Sequence, residues 1–245
     1  MHVELLSMNY SNKYLLIFIF SLLAACSGTK HLPKGDKLYT GAEIKLVSTG
    51  KIDKGLIKNL AKAAIRPLPN SSYFGMRPLL SLYMSAGEDP KTKFKKWLKK
   101  TGEAPVLMSS VKPQVTASII DAKLFNIGIF NSNTEFKIVE KNQTASVIYT
   151  SYIHKRFTLN DLIYSISNDS LSQTILAEKD KSFIIAGEDY NLDLLKIERV
   201  RIDALLKNKG YFYFNPDYLL FNADTSNLNH TQNALPDLIL PLKTL

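Results

Sequence analysis

Two decamers constrain what this chain can fold into. DAKLFNIGIF occupies residues 121–130 and DALLKNKGYF residues 203–212; aligned without gaps they share Asp, Ala, Leu, Asn, Gly and Phe, and Ile120 and Ile202 precede them. Each reads as the last turns of a helix, a glycine stop and the entry to a strand, because Gly supplies the left-handed residue that a helix C-terminus favours. Asn126, Gly128 and Phe130 hold these helix-stop and strand-start positions in the first copy, and Asn208, Gly210 and Phe212 in the second. Phe130 and Phe212 are expected to enter a strand that faces the helices just ended. Helix-to-strand junctions in general favour Gly and an aromatic, so coincidence is the alternative to duplication. Seven matches in eleven positions, within the same order of elements, favour duplication.

The flanking patterns give both copies the same parts. Residues 39–48 alternate as a strand, with Ile44 and Leu46 on one face, and residues 53–65 place Leu56, Ile57, Leu60, Ala61, Ala64 and Ile65 at helical spacing behind an Asp53 N-cap. A helix over 111–126 carries a stripe of Val115, Ile119, Ala122, Leu124 and Phe125; strands over 129–139 and 144–153 follow, joined by a tight turn at 140–143. In the second copy a strand is expected over 157–166 and a short helix over 171–178. A helix over 192–208 follows, with Leu194, Leu195, Ile197, Val200, Ile202 and Leu205 as its stripe, and then an aromatic strand over 211–222. Residues 234–240 complete the hairpin as an edge or bulged strand, since Pro236 cannot donate to a ladder. The expected fold class is α+β: two tandem β-α-α-β-β modules, residues 38–155 and 156–245, each a three-stranded mixed sheet covered by two helices.

Before the modules, residues 14–23 (YLLIFIFSLL) follow Lys13 and precede Ala24-Ala25-Cys26. A charged residue, a short apolar run and small residues spell an export signal, and the run is too short for the roughly 20 residues that span a bilayer. Residues 1–25 are thus read as a signal peptide and 26–37 as a polar linker; Met8 would give a more usual signal length than Met1. The tetrad Leu23-Ala24-Ala25-Cys26 resembles the bacterial lipobox, which implies diacylglyceryl modification of Cys26; an ordinary secretory signal is the alternative. Buried acyl carbons contribute about 0.8 kcal/mol each, so two or more chains hold a protein on a membrane. Ser27 follows and no acidic pair occupies the next positions, which favours outer-membrane sorting by resemblance to other lipoproteins.

Residues 66–105 form an unusually long insertion between the helices of the first module. Within it KFKKWLKK (93–100) places Phe94, Trp97 and Leu98 at i, i+3 and i+4 among lysines that include Lys95 and Lys96. A basic helix carrying a Trp can lie at an anionic bilayer interface. Alternatively its aromatics pack on the sheet and its lysines are simply solvated.

Catalysis finds little support. One Cys and four scattered His (His2, His31, His154, His230) do not spell a metal cluster, the glycines form no phosphate loop, and Glu188, Asp189 and Asp193 sit where N-capping explains them. The expectation is no enzyme, no cofactor and no metal, with an envelope enzyme as a minor alternative. A net charge of +9 favours anionic partners. The basic residues form no aromatic-interleaved groove, so nucleic acid is not expected.

A β-α-α-β-β module whose second helix ends in a leucine-rich Asn-x-Gly-[Tyr/Ile]-Phe segment resembles the POTRA domain, the periplasmic module preceding the barrel in BamA/TamA-type outer-membrane assembly proteins. LPKGDKLYTGAEIKL behind a lipobox Cys, SYFGMRPLLSLYM, FKKWLKKTGEAPVL and RIDALLKNKGYFYF are similar to the TamL lipoproteins of that superfamily. The resemblance covers residues 26 to about 240. It implies an outer-membrane, lipid-anchored protein with its modules in the periplasm. Its partners would be outer-membrane-protein clients and assembly subunits, docking by strand addition on exposed sheet edges. The expected edges are 136–139 in the first module and 211–220 in the second. Members of that family continue into a C-terminal barrel that these 245 residues lack, so insertase activity does not carry over. The alternative is a lipid-anchored structural envelope lipoprotein with no insertase role.

Overall fold

A computed structural model describes residues 32–50, 52–159, 162–165, 169–224 and 237–241. Along the chain the elements are β1 (Leu38–Ser48), α1 (Lys54–Ala64), α2 (Pro78–Ala86), α3 (Lys93–Thr101), α4 (Pro113–Asn126), β2 (Asn133–Lys141) and β3 (Thr144–Ile153). After these come β4 (Leu162–Ser165), α5 (Ser170–Ala177), α6 (Leu192–Asn208), β5 (Asn222–Asp224) and β6 (Asp237–Pro241). Leaving α2 and α3 aside as an insertion, the order β-α-α-β-β occurs twice. By compactness the described chain divides into one unit of residues 32–43, 65–116 and 136–149, and another of 44–64, 117–135 and 150–241.

Both sheets have three strands in the same order, first-third-second: β1-β3-β2 and β4-β6-β5. In the first, Asn142 and Gln143 alone join β2 to β3, so these neighbours are antiparallel. The Leu38 N–H donates to Gln143 O (2.9 Å) and the Thr40 hydroxyl to Ala145 O (3.1 Å); the two contacts advance together along β1 and β3, the sense of a parallel pair. In the second, β4 runs parallel to β6 (Leu162 opposite Leu238) and β5 antiparallel to it (Asn222 opposite Ile239). Each sheet is therefore mixed, with its last strand in the centre. The central position of β6 corrects the edge expected from Pro236: the strand starts at Asp237, after the proline, and all its paired residues lie beyond it.

Strand β3 shows why a centre strand is readable: Ala145, Val147, Tyr149, Ser151 and Ile153 are all buried, a period of two. Helix α1 starts where Asp53 Oδ1 accepts from the N–H groups of Gly55 (2.9 Å) and Leu56 (3.0 Å), the cap expected, and it buries Ile57, Ala61 and Ala64.

The second helix of each module buries only part of the stripe its apolar residues suggest, Leu124 in α4 and Leu195 and Ile202 in α6. In α4 the buried residues are Thr116, Ala117, Ile120 and Leu124, while Val115, Ile119 and Phe125 are exposed. In α6 they are Leu195, Glu198, Ile202 and Leu206, while Ile197 and Val200 are exposed. The decamer alignment superimposes Thr116 on Glu198, Ile120 on Ile202 and Leu124 on Leu206, so both helices bury the same register, i, i+4 and i+8. A carboxylate holds the first of these positions in α6 because it is fully satisfied. Arg201 donates to it through Nε (2.9 Å) and Nη2 (2.6 Å), and the Phe183 N–H adds a third bond (3.1 Å). The same hydrogen bond holds the Arg201 pKa above its ordinary value.

Two strands are shorter than expected. β2 begins at Asn133, with Phe130 and Asn131 in a turn, and residues 211–221 form a turn and a 3-10 segment (Pro216–Tyr218) before the three residues of β5. Asn215 caps that segment by accepting from the Asp217 N–H (2.9 Å), and Pro216 has no N–H for a ladder. The aromatic alternation of residues 211–214 therefore marks no strand. Similarly, among the described residues of the strand expected over 157–166, Leu162–Ser165 form β4 and Thr158 makes an isolated bridge to Asp189.

Candidate functional site

A sheet of order β1-β3-β2 has two edges, and they are not equivalent. The outer side of β1 is occupied at its start: the Tyr39 N–H donates to Val106 O (2.8 Å), the Met108 N–H donates to Lys37 O (2.8 Å), and Leu38 bridges Leu107. Strand β2 has β3 on one side and no strand on the other among the described residues. A row of backbone N–H and C=O groups thus faces outward without a ladder partner. Thr134 is the one buried residue of β2, and Phe136, Ile138 and Val139 stay 37%, 40% and 38% exposed. Phe136 and Ile138 share one face and Lys137 and Val139 the other, because side chains alternate along a strand.

The two ends of β2 are pinned. Thr134 receives both oxygens of Asp121, Oδ2 at its N–H (3.0 Å) and Oδ1 at its hydroxyl (2.7 Å), and the same hydroxyl meets Ser151 Oγ (2.8 Å). At the far end Lys37 pairs with Glu140. A strand fixed at its ends and bare between them is a template for strand addition. Its charges, Glu135, Lys137, Glu140 and Lys141, are of the kind that keep such an edge from aggregating. In the second sheet the edges are β4 and β5, so the edge expected over 211–220 is corrected to Asn222–Asp224.

Of the six junction residues, the two Asn and two Gly lie at the helix ends, while Phe130 and Phe212 lie in turns rather than entering a strand. Asn126 and Asn208 end α4 and α6, and Gly128 and Gly210 have φ of 86° and 97°. The first cap has bonds Ile127 N–H to Leu124 O (3.2 Å), Gly128 N–H to Phe125 O (3.0 Å) and Ile129 N–H to Leu124 O (3.0 Å). The second repeats them as Lys209 to Leu206 (3.0 Å), Gly210 to Lys207 (3.1 Å) and Tyr211 to Leu206 (3.0 Å). Phe130 then packs on Phe125, Phe157 and Tyr190, with ring centroids 4.9, 5.3 and 5.0 Å away. Phe212 departs from expectation: it is 74% exposed and Tyr213 98%.

The insertion is a built platform. Asn70, 2% exposed, closes its base, donating to Ala104 O (2.7 Å) and accepting from the Val106 N–H (2.8 Å). Gly102 packs so closely that a Cβ would lie 2.4 Å from Tyr83 N, which locks the end of α3 to α2. The residues grouped from sequence divide between two sides of α3. Leu98 is buried, whereas Phe94 and Trp97, 65% and 55% exposed, stack on each other at 6.0 Å, with Lys95 and Lys96 also exposed. Leu23, Ala24, Ala25 and Cys26 lie outside the described residues.

Burial pushes the Tyr39 hydroxyl up to about 12 and raises Tyr149, Tyr164 and Tyr190. The N-cap of α6 is Asn191, whose side chain accepts from the Asp193 N–H (2.9 Å), and Asp189 pairs with Arg156 instead; both correct the capping expected of the carboxylates. Among the described residues no group of three His, Cys, Asp or Glu could hold a metal, and no helix is long and apolar enough to cross a membrane.

No family model and no curated protein matches the chain. Solved structures similar to it include POTRA1-2 of the periplasmic domain of Omp85 from Anabaena, at 10% identity and TM-score 0.40, covering 87% of this chain and 99% of that one. POTRA3-5 of Haemophilus influenzae BamA has 13% identity and TM-score 0.34, covering 87% and 99%. BamA from Haemophilus ducreyi lacking POTRA domains 1-3 has 9% identity and TM-score 0.41, covering 83% of this chain and 29% of that one, so the chain spans under a third of that protein. Strand order and the bare edge of β2, rather than overlaps of this size, bear on function.

Proposed function

We propose that the chain is a non-enzymatic periplasmic scaffold of POTRA type in outer-membrane protein assembly. It takes extended segments of outer-membrane proteins, or a partner subunit, by strand addition on β2. One observation carries this reading: β2 is a nine-residue strand anchored at Thr134 and, among the described residues, paired on one side only, with apolar residues exposed on both faces. A ladder bonded through backbone groups accepts many sequences, as a client-binding module requires, while Phe136, Ile138 and Val139 add apolar contact to whatever docks. The repeated β-α-α-β-β order with its first-third-second sheets supports the POTRA reading. On this proposal the modules divide at residues 155/156, and Cys26 is acylated and tethers them to the outer membrane.

A photo-crosslinker placed at Ile138 in cells tests it. Adducts with nascent outer-membrane proteins at Ile138, with none at exposed positions of α6 such as Val200, are expected. Absence of adducts at Ile138 would favour a lipid-anchored spacer without clients. Cys26→Ser should move the protein to the soluble fraction; retention on the membrane would remove the tether from the account.

A further inference from the structure

The insertion carries a turn whose backbone and side chain disagree. The Tyr73 N–H donates to Met76 O (2.9 Å) and the Met76 N–H to Tyr73 O (3.0 Å), closing a two-residue turn whose central residues both have positive φ, 50° at Phe74 and 79° at Gly75. Such turns favour Asn-Gly, because a bulky residue in the left-handed region is strained. Phe74 gains nothing from the fold in return: it is 99% exposed, and Tyr73 beside it is 60% exposed. Strain kept at a position without packing points to something outside the fold.

The surroundings indicate what that is. Ser71, at the foot of the turn, donates its N–H to Glu103 (2.9 Å), two residues past α3, and Arg77 leads directly into α2, which packs on α3. The turn and α3 thus belong to one platform, and α3 presents the stacked, exposed pair Phe94 and Trp97. Residues 66–105 contain eight Lys or Arg and three Asp or Glu, so this insertion holds more than half of the chain's net charge of +9. Six of the eight are lysines, a residue that protein–protein interfaces deplete and that anionic lipid surfaces attract.

We propose that the insertion docks on an anionic phospholipid bilayer. Phe74 and Tyr73 enter among the headgroups, and Phe94 and Trp97 lie at headgroup level, where aromatic side chains are enriched. Lysine ammonium groups meet lipid phosphates around them. This contact is separate from the β2 edge, so loss of the Ile138 adducts would leave it standing.

Trp97 is the chain's one tryptophan, so its emission reports α3 alone. Residues 27–245, which carry neither the apolar run 14–23 nor any acyl group, are mixed with vesicles of phosphatidylethanolamine and phosphatidylglycerol, or of phosphatidylcholine alone. Expected are co-sedimentation and a blue shift with the anionic vesicles, both lost at high salt. Phe74→Asn should lower partition by about tenfold, the scale of one buried aromatic, while leaving the melting temperature unchanged or raised. Lys95→Glu with Lys96→Glu should abolish binding. Equal binding to both vesicle types, bound protein with unshifted emission, or a Phe74→Asn variant that partitions like the parent would overturn the proposal. So would self-association that accounts for the blue shift without vesicles, which would assign the surface to a second copy of the chain.

Discussion

The junctions at Gly128 and Gly210 share three cap hydrogen bonds, a positive φ and a following turn, yet their surroundings differ. A Cβ on Gly128 would lie 3.0 Å from both Phe157 O and Tyr190 Cβ, whereas one on Gly210 would meet nothing within 4 Å. Around the first, the Phe157 N–H donates to Gly128 O (2.9 Å), Arg156 Nε donates to Ile127 O (2.7 Å), and Phe130 is enclosed by aromatic rings. Around the second, Phe212 and Tyr213 stand in solvent. The helix cap is therefore a local device that works in either setting, and what covers it is decided by residues far along the chain. Gly128 is needed twice, for its φ and for space; Gly210 is needed once.

The largest expected effect lies in the buried helix register rather than at the glycines. Glu198→Ala leaves Arg201 unpaired beside a buried site and should cost about 3–5 kcal/mol, whereas Thr116→Ala at the matching position of α4 should cost about 1 kcal/mol. Denaturant titration separates the two, and equal losses would mean that Glu198 and Arg201 do not form a buried pair. Gly128→Ala combines strain with a close contact and should cost about 2–4 kcal/mol, against about 1–2 kcal/mol for Gly210→Ala. Similar losses from both would show that Phe157 and Tyr190 do not pack on Gly128. Phe130→Ala should lower stability by about 2 kcal/mol through its lost ring contacts, and Phe212→Ala by less than about 0.5 kcal/mol. A large melting-temperature drop for Phe212→Ala would place that ring in a core.

Features set by local chemistry were legible in the sequence, including the Asp53 cap, both glycine stops and the alternation of β3. The α+β class and the repeated element order followed from them. Helix faces were harder because α4 and α6 carry apolar residues on both sides. Choosing Thr116 and Ile120 over Val115 and Ile119 required knowing that the decamer alignment also registers the buried polar pair, Thr116 with Glu198. That signal was present but hidden by expecting only apolar residues inside. The aromatic run 211–214 matched strand spacing, and only the cap bond from Tyr211 to Leu206 and the Asn215-Pro216 turn divert it. At the candidate site, the edge expected over 136–139 falls within β2, whereas the one expected over 211–220 does not fall in a strand, because strand order is set by the whole sheet and not by local pattern. The Phe74-Gly75 turn was missed, since a Phe at positive φ has no sequence signature.

Strand addition makes one claim above the others, that backbone groups of β2 acquire partners when a client binds. Amide hydrogen exchange over residues 133–141, with and without saturating amounts of an extended peptide from an outer-membrane β-strand, measures this directly. The account predicts slowed exchange at alternate amides of β2, those facing away from β3, with residues 211–220 unchanged. Unaltered exchange in β2 while the peptide is demonstrably bound, or protection confined to 211–220, would contradict it.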